Sequence, residues 1–140
     1  MIRAAIPEDI AAIDAFDRFA GDRSQEIAGG RMLVLEDLPD ASVVGYVSWA
    51  RKGFVGRDYI AFLCVETAHR RCGLATKLLR AAEAAIGPGR IFISTEADNS
   101  AMLALLQREN WMFAGSVEGA NWNDIAEQFF FKDVEAASAT

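Results

Sequence analysis

Residues 69–79, His-Arg-Arg-Cys-Gly-Leu-Ala-Thr-Lys-Leu-Leu, join a cationic, tightly turning loop to the start of an amphipathic helix. The chemistry this arrangement suits is the holding of a phosphate-like anion. Gly73 lets the backbone approach a ligand and take angles closed to other residues, and Ala75 keeps the same surface nearly bare. The N–H groups of Gly73, Leu74, Ala75 and Thr76 would point outward at the positive end of the helix dipole, with Arg70 and Arg71 adding mobile charge. Cys72 borders the same helix start, where a thiol can be acidified, and reads as a small loop residue. His69, the only histidine, lies on the anion side of the loop and suits a ligand contact or surface packing.

The pattern Arg70-x-x-Gly73-x-Ala75, preceded by the apolar run 60–65, resembles the acyl-CoA-binding signature (Gln/Arg-x-x-Gly-x-Gly/Ala) of the GNAT N-acetyltransferase superfamily. Asn99 and the segment 100–109, closed by Asn110-Trp111, resemble that family's second cofactor helix, which ends in Gly-Phe. The resemblance follows the element order of almost the whole chain, with sharp identity confined to roughly residues 59–79 and 91–118. Other phosphate loops are absent: there is no Gly-x-x-x-x-Gly-Lys-Ser/Thr, and no Gly-x-Gly-x-x-Gly after the first strand. The resemblance implies acetyl-CoA as cofactor and a primary amine, on a small molecule or a polypeptide, as acceptor. It also implies that two parallel strands splay apart to admit pantetheine, whose amides the backbone of Leu63, Cys64 and Val65 would bond as another strand would. The cofactor set so implied is Leu63, Cys64, Val65, Arg70, Arg71, Cys72, Gly73, Leu74, Ala75, Thr76 and Asn99, with no metal.

Acyl transfer from a thioester to an amine needs an unprotonated amine, a donor for the oxyanion and an outlet for the departing thiolate. A backbone N–H near Val65 is the candidate oxyanion donor. Glu66 just beyond one strand, Glu96 just beyond another and Glu118 at the start of a polar loop are the candidate bases. The family's usual thiolate-side acid is a tyrosine seven residues after the asparagine, and that position here is Leu106. Coenzyme A then leaves unassisted or through water, or another residue acts, or the chain is a non-catalytic acyl-CoA-binding or sensing module. Tyr59, near where some family members carry a catalytic glutamate, reads as strand packing, and Cys64 as a core residue. Asn121, Trp122, Asn123 and Asp124 either line an acceptor pocket or make turns.

The elements that must position these groups are legible from periodicity. Residues 1–5 read as a strand, and Pro7-Glu8-Asp9 opens a helix through about Phe19 with Ile6, Ile10, Ile13 and Phe16 as its core face. A short helix over 24–28 stops at Gly29-Gly30. Residues 32–35 and 42–50 form an antiparallel hairpin, and Gly53 and Gly56 bound a loop before the central strand, 59–65. Leu74, Leu78, Ala81, Ala82, Ala85 and Ile86 line one face of the next helix, ended by Gly87-Pro88-Gly89. That helix makes a right-handed crossover to a parallel strand, 91–95. Strands 113–117 and 128–131 flank a polar loop, and 136–140 fray. The expected class is α/β (α+β): one domain over 1–140, a mixed and mostly antiparallel sheet with one splayed parallel pair, and helices on both faces.

The 140 residues are 52% hydrophobic, enough for one real core. Twenty acidic against fourteen basic residues give a formal charge of -6, which argues against nucleic acid and suits either a cationic acceptor or plain solubility. No apolar run approaches the ~20 residues of a membrane span, and the N-terminus lacks a secretory layout, so the expected partners are acetyl-CoA and an amine in the cytoplasm, with no membrane. A homodimer is compatible with this reading. Two cysteines without a redox spacing, and a single histidine, argue against a disulfide framework and a zinc site.

Overall fold

The computed structural model describes residues 1–70 and 73–136. Its strands, β1 (Ile2–Ala4), β2 (Met32–Asp37), β3 (Ser42–Phe54), β4 (Arg57–Val65), β5 (Gly89–Glu96), β6 (Met112–Val117) and β7 (Glu127–Val134), form a mostly antiparallel sheet in the order β1-β2-β3-β4-β5-β7-β6, with β4 and β5 the parallel pair among the described residues. The chain divides into two compact units, one of Met1–Ala50 with Ile60–Ile86, the other of Arg51–Tyr59 with the chain from Gly87 onward. No helix of the described residues is long and apolar enough to cross a membrane.

In the first unit, β1 (Ile2–Ala4) pairs antiparallel with β2 (Met32–Asp37), which pairs antiparallel with β3 (Ser42–Phe54). A bulge at Leu35/Glu36 shifts the register, so Leu35 faces Gly45 but Glu36 faces Val43. The helices are α1 (Ile10–Phe16), entered through a 3₁₀ turn at Pro7–Asp9, and α2 (Ser24–Ala28). Ile13 of α1, Ala20, Met32, Val34 and Tyr46 form a buried cluster, with Phe16, Ile27, Phe62 and Cys64 packed on it. Next to Tyr46 in the strand, Gly45 points to the other face. A Cβ there would lie 3.0 Å from Leu78 and 3.2 Å from the Cys64 carbonyl, so glycine permits α3 (Leu74–Ile86) to press close. Helices therefore cover both faces of this half of the sheet.

Several boundaries differ from the sequence reading. The first helix ends at Phe16 rather than Phe19, because Asp17 turns extended (φ -135°, ψ 93°) and sends its carboxylate to Tyr46. Ile6 is exposed, since the first turn is 3₁₀ and rotates it off the core stripe. On α3, Leu78 and Ala82 are buried as expected, but Ala85 faces solvent while Leu79 and Glu83 are buried, so the stripe extends toward those two positions.

In the second unit, β5 (Gly89–Glu96) pairs antiparallel with β7 (Glu127–Val134) from Gly89↔Val134 to Glu96↔Glu127, and β7 pairs antiparallel with β6 (Met112–Val117). Gly53 does not bound a loop. β3 runs on to Phe54, and β4 (Arg57–Val65) begins after Val55 (φ 50°) and Gly56 (φ 74°). Two consecutive positive φ values make the tight turn whose twist suits a hairpin. Along β5, Ile91, Ile93 and Thr95 are buried while Phe92, Ser94 and Glu96 are half-buried, the alternation of a sheet with one covered face. On the half-buried face the Phe54 ring stacks on Phe129 at 4.8 Å and tilts onto Phe92 at 5.0 Å. Helix α4 (Ser100–Arg108) buries Leu105 and Leu106, and Asn110 (φ 66°) ends its last turn before buried Trp111.

Candidate active site

The anion loop is approached through a pinned turn. After Val65 ends β4, the Glu66 N–H donates to the Val44 carbonyl at 2.7 Å. A 3₁₀ turn over Thr67–His69 follows, closed by the His69 N–H on the Glu66 carbonyl at 2.9 Å. The His69 ring lies between two carboxylates, with Nε2 2.9 Å from Asp37 Oδ2 and Nδ1 3.6 Å from Glu66 Oε2. Arg70 Nε donates to the Val65 carbonyl at 3.0 Å, so this cation is anchored to the strand it follows.

Gly73 then takes φ 74°, in the left-handed region, and is exposed with nothing within 4 Å of where a Cβ would sit. In the first turn of α3 the Lys77 N–H donates to the Gly73 carbonyl at 3.2 Å. The leading N–H groups of a helix have no intrahelical partner. An open surface, a positive φ and a 13-residue helix starting in the next residue are the requirements of an anion seat at a helix N-terminus. Arg71 and Cys72 lie outside the described residues.

On β4, Leu63 and Cys64 are half-buried and Val65 is buried. Burial, helped by the Asp17 carboxylate, pushes the Cys64 thiol up to about 11, so it stays protonated at neutral pH and is no nucleophile. The Glu66 N–H is spent on Val44, which removes it from the amides near Val65 as an oxyanion donor. The Glu66 carboxylate stands beside His69, 3.6 Å away.

The other sequence-derived candidates lie in the second unit. Asn99 caps α4: its Oδ1 accepts from the Met102 N–H at 3.2 Å. Glu96 ends β5 and accepts from Asn123 Nδ2 at 3.3 Å, which gives that loop asparagine a turn-tethering role. Glu118 is exposed in the turn after β6, and Trp122 is fully exposed. Leu106 is fully buried.

Sequence reasoning passed over a polar chain on the half-buried face. Tyr59 Oη and Ser94 Oγ are 2.6 Å apart, Ser94 Oγ donates to Glu127 Oε2 at 2.6 Å, and Asn121 Nδ2 donates to Glu127 Oε1 at 3.0 Å. Asn121 also donates to the Ile125 carbonyl at 2.9 Å. Burial holds the Tyr59 phenol above its ordinary range against the opposing pull of the Ser94 hydrogen bond, with the Glu127 carboxylate adding a smaller push. The signal was strand register alone: Ser94 faces Phe129 and Glu96 faces Glu127, and a strand begun at 128 leaves Glu127 in a loop.

A family model described as Acetyltransferase (GNAT) family matches residues 6–110. The chain belongs to that family. As a GNAT acetyltransferase it is an acetyl-CoA-dependent N-acetyltransferase. Solved structures share the fold. A GNAT-family acetyltransferase from Bacillus cereus has a TM-score of 0.79 at 22% identity, over 95% of this chain and 96% of that one. Ard1 from Thermoplasma volcanium reaches 0.83 at 15% identity, over 96% and 97%. The acetyltransferase yncA from Salmonella typhimurium, solved with its cofactor acetyl-CoA, reaches 0.73 at 20% identity, over 100% and 96%. No curated protein matches the sequence.

Proposed function

We propose that this acetyltransferase, acting as a single catalytic domain in the cytoplasm, moves an acetyl group from acetyl-CoA to a primary amine of a small molecule or polypeptide. The observation that carries the placement of the cofactor is Gly73 at φ 74°, bare toward solvent, immediately before the N-terminus of α3. Backbone N–H groups of residues 73–76 hold the pyrophosphate, with Arg70 and Arg71 adding charge, and the edges of Leu63, Cys64 and Val65 hold pantetheine. An acidic surplus of six charges supports a cationic acceptor and speaks against nucleic acid. Of the carboxylates, Glu66 and Glu96 each already serve a neighbouring side chain, and Glu118 projects into solvent above a polar turn. The same reading accommodates a homodimer and no membrane partner.

The test is calorimetric titration of acetyl-CoA into Gly73→Val and Arg70→Ala proteins of verified fold. A Cβ and branched side chain at 73 should weaken binding at least tenfold, about 1.4 kcal/mol, because they occupy the space the phosphates need. Equal affinity for Gly73→Val and wild type overturns the placement. Release of free coenzyme A with a panel of primary amines separates a transferase from a binding module, which would take up acetyl-CoA and release nothing.

A further inference from the structure

The chain from Tyr59 through Ser94 to Glu127 has a direction. A carboxylate only accepts, and Ser94 has one hydroxyl hydrogen, which it gives to Glu127 Oε2 at 2.6 Å. The Ser94 oxygen is then left to accept, so at 2.6 Å from Tyr59 Oη it takes the phenol's hydrogen. The phenolic oxygen keeps its lone pairs for whatever reaches the sheet face. Glu127 is fixed by Asn121 on its second oxygen, and Asn121 by the Ile125 carbonyl. Aromatic rings stand beside this line, Phe54 at 6.0 Å and Phe129 at 6.5 Å from the Tyr59 ring. The three polar groups come from three strands, β4, β5 and β7, so their alignment is set by sheet register rather than by a flexible loop. A half-buried face needs no such groups for stability, since an unpaired member costs more than an apolar one. Glu96, directly opposite Glu127, is held by Asn123, and farther along the same face Arg90 pairs with Asp133.

We propose that Tyr59, Ser94 and Glu127 form the proton relay of the acetyl transfer, with Glu127 as the remote base that deprotonates the acceptor amine through the two hydroxyls. This rests on the transferase reading above. As the ammonium gives a proton to Tyr59 Oη, the phenol's hydrogen passes to Ser94 and that of Ser94 to Glu127. Neither hydroxyl becomes a free anion, which agrees with a phenol whose burial resists ionisation. The neutral amine then attacks the thioester carbonyl and the C–S bond breaks with its electron pair on sulfur. The remaining surplus proton on nitrogen goes to the thiolate, and Glu127 returns its proton to water. Tyr59 is the catalytic residue of the three, and Ser94 and Glu127 act through it. The arrangement needs no acid at position 106.

The experiment follows coenzyme A release by a thiol reagent, using the full chain and the best acceptor from a panel that includes spermidine, lysine amide and free-N-terminus peptides. Glu127→Gln and Ser94→Ala should each lower kcat about a hundredfold, leave the KM for acetyl-CoA within about twofold, and in the double variant lose no more than the worse single. Ser94→Thr, which keeps the hydroxyl, should restore turnover. Thermal midpoints establish that each protein is folded, and if Glu127→Gln is not, Ser94→Ala against Ser94→Thr makes the same comparison. Wild-type kcat in the Ala or Gln variant, losses that multiply in the double, or a loss confined to the KM for acetyl-CoA overturns the relay while the transferase stands. A wild type that binds acetyl-CoA and acetylates no amine overturns both.

Discussion

Tyr46, fully buried in β3, donates its phenolic hydrogen to Asp17 Oδ2 at 2.6 Å, at the point where α1 gives way to extended chain. One polar bond thus ties the end of a helix to the middle of the sheet beneath it. Its ring is flanked by Phe16 and Phe62, each at 6.5 Å.

Tyr46→Phe keeps those ring contacts and removes only the donor, leaving a half-buried carboxylate oxygen unpaired. The expected loss is about 1–3 kcal/mol, the cost of an unsatisfied partner, read as a lower urea midpoint with an unchanged slope. An unaltered midpoint would show that water replaces the hydroxyl without loss.

How much of this was readable in advance depends on how local the signal is. The end of helix α3 at Ile86 was legible because Gly87 punctuates it. The end of α1 was missed because Asp17 leaves the helix for Tyr46, 29 positions away, a contact no window of periodicity contains. Gly53 misled for a related reason: the turn lies at Val55-Gly56, and strand pairing carries β3 past a residue that usually breaks strands. The anion-loop pattern is contiguous in the sequence, whereas Tyr59, Ser94 and Glu127 are united only by pairing across three strands.

Acid stability should depend on Asp9. Its carboxylate takes two guanidinium N–H groups of Arg3, at 2.8 and 2.9 Å, and the Ile6 N–H at 2.8 Å. The hydrogen bonds from Arg3 hold it below the usual carboxylate range, against an opposing push from burial. A lowered folded-state value means the ionised form stabilises the fold. That contribution is complete above the unfolded carboxylate value of about 3.9 and is lost as pH falls through the folded one. Asp9→Asn should therefore flatten the decline of stability below about pH 4 and lower stability at pH 7. Asp133, fully exposed beside Arg90, should add no comparable slope.

Asn99 is a helix cap in this structure, so its loss should appear first in stability. Asn99→Ala removes the acceptor for the Met102 N–H and should cost about 0.5–2 kcal/mol, whereas Asn99→Ser, itself a good cap, should cost little. Acetyl-CoA affinity is expected to be equal in Asn99→Ser and wild type. A weaker Kd in that variant alone would assign the longer amide, through Nδ2, to the cofactor.

Leu106 stands where the resemblance would put a tyrosine, and it is fully buried in α4. Leu106→Tyr must fit a ring into a filled site, an overpacking cost of about 1–3 kcal/mol, and its hydroxyl must find a partner there or add a desolvation penalty. Leu106→Phe carries the same ring without the hydroxyl and is the control. Both should lower the thermal midpoint, with Tyr the lower of the two, and neither should raise kcat, because the proton traffic runs along the Tyr59 chain instead. Coenzyme A release and thermal unfolding of the three proteins decide it. Faster turnover in Leu106→Tyr than in both wild type and Leu106→Phe would show that the hydroxyl reaches the leaving thiolate, and that an acid at this position had been limiting the reaction.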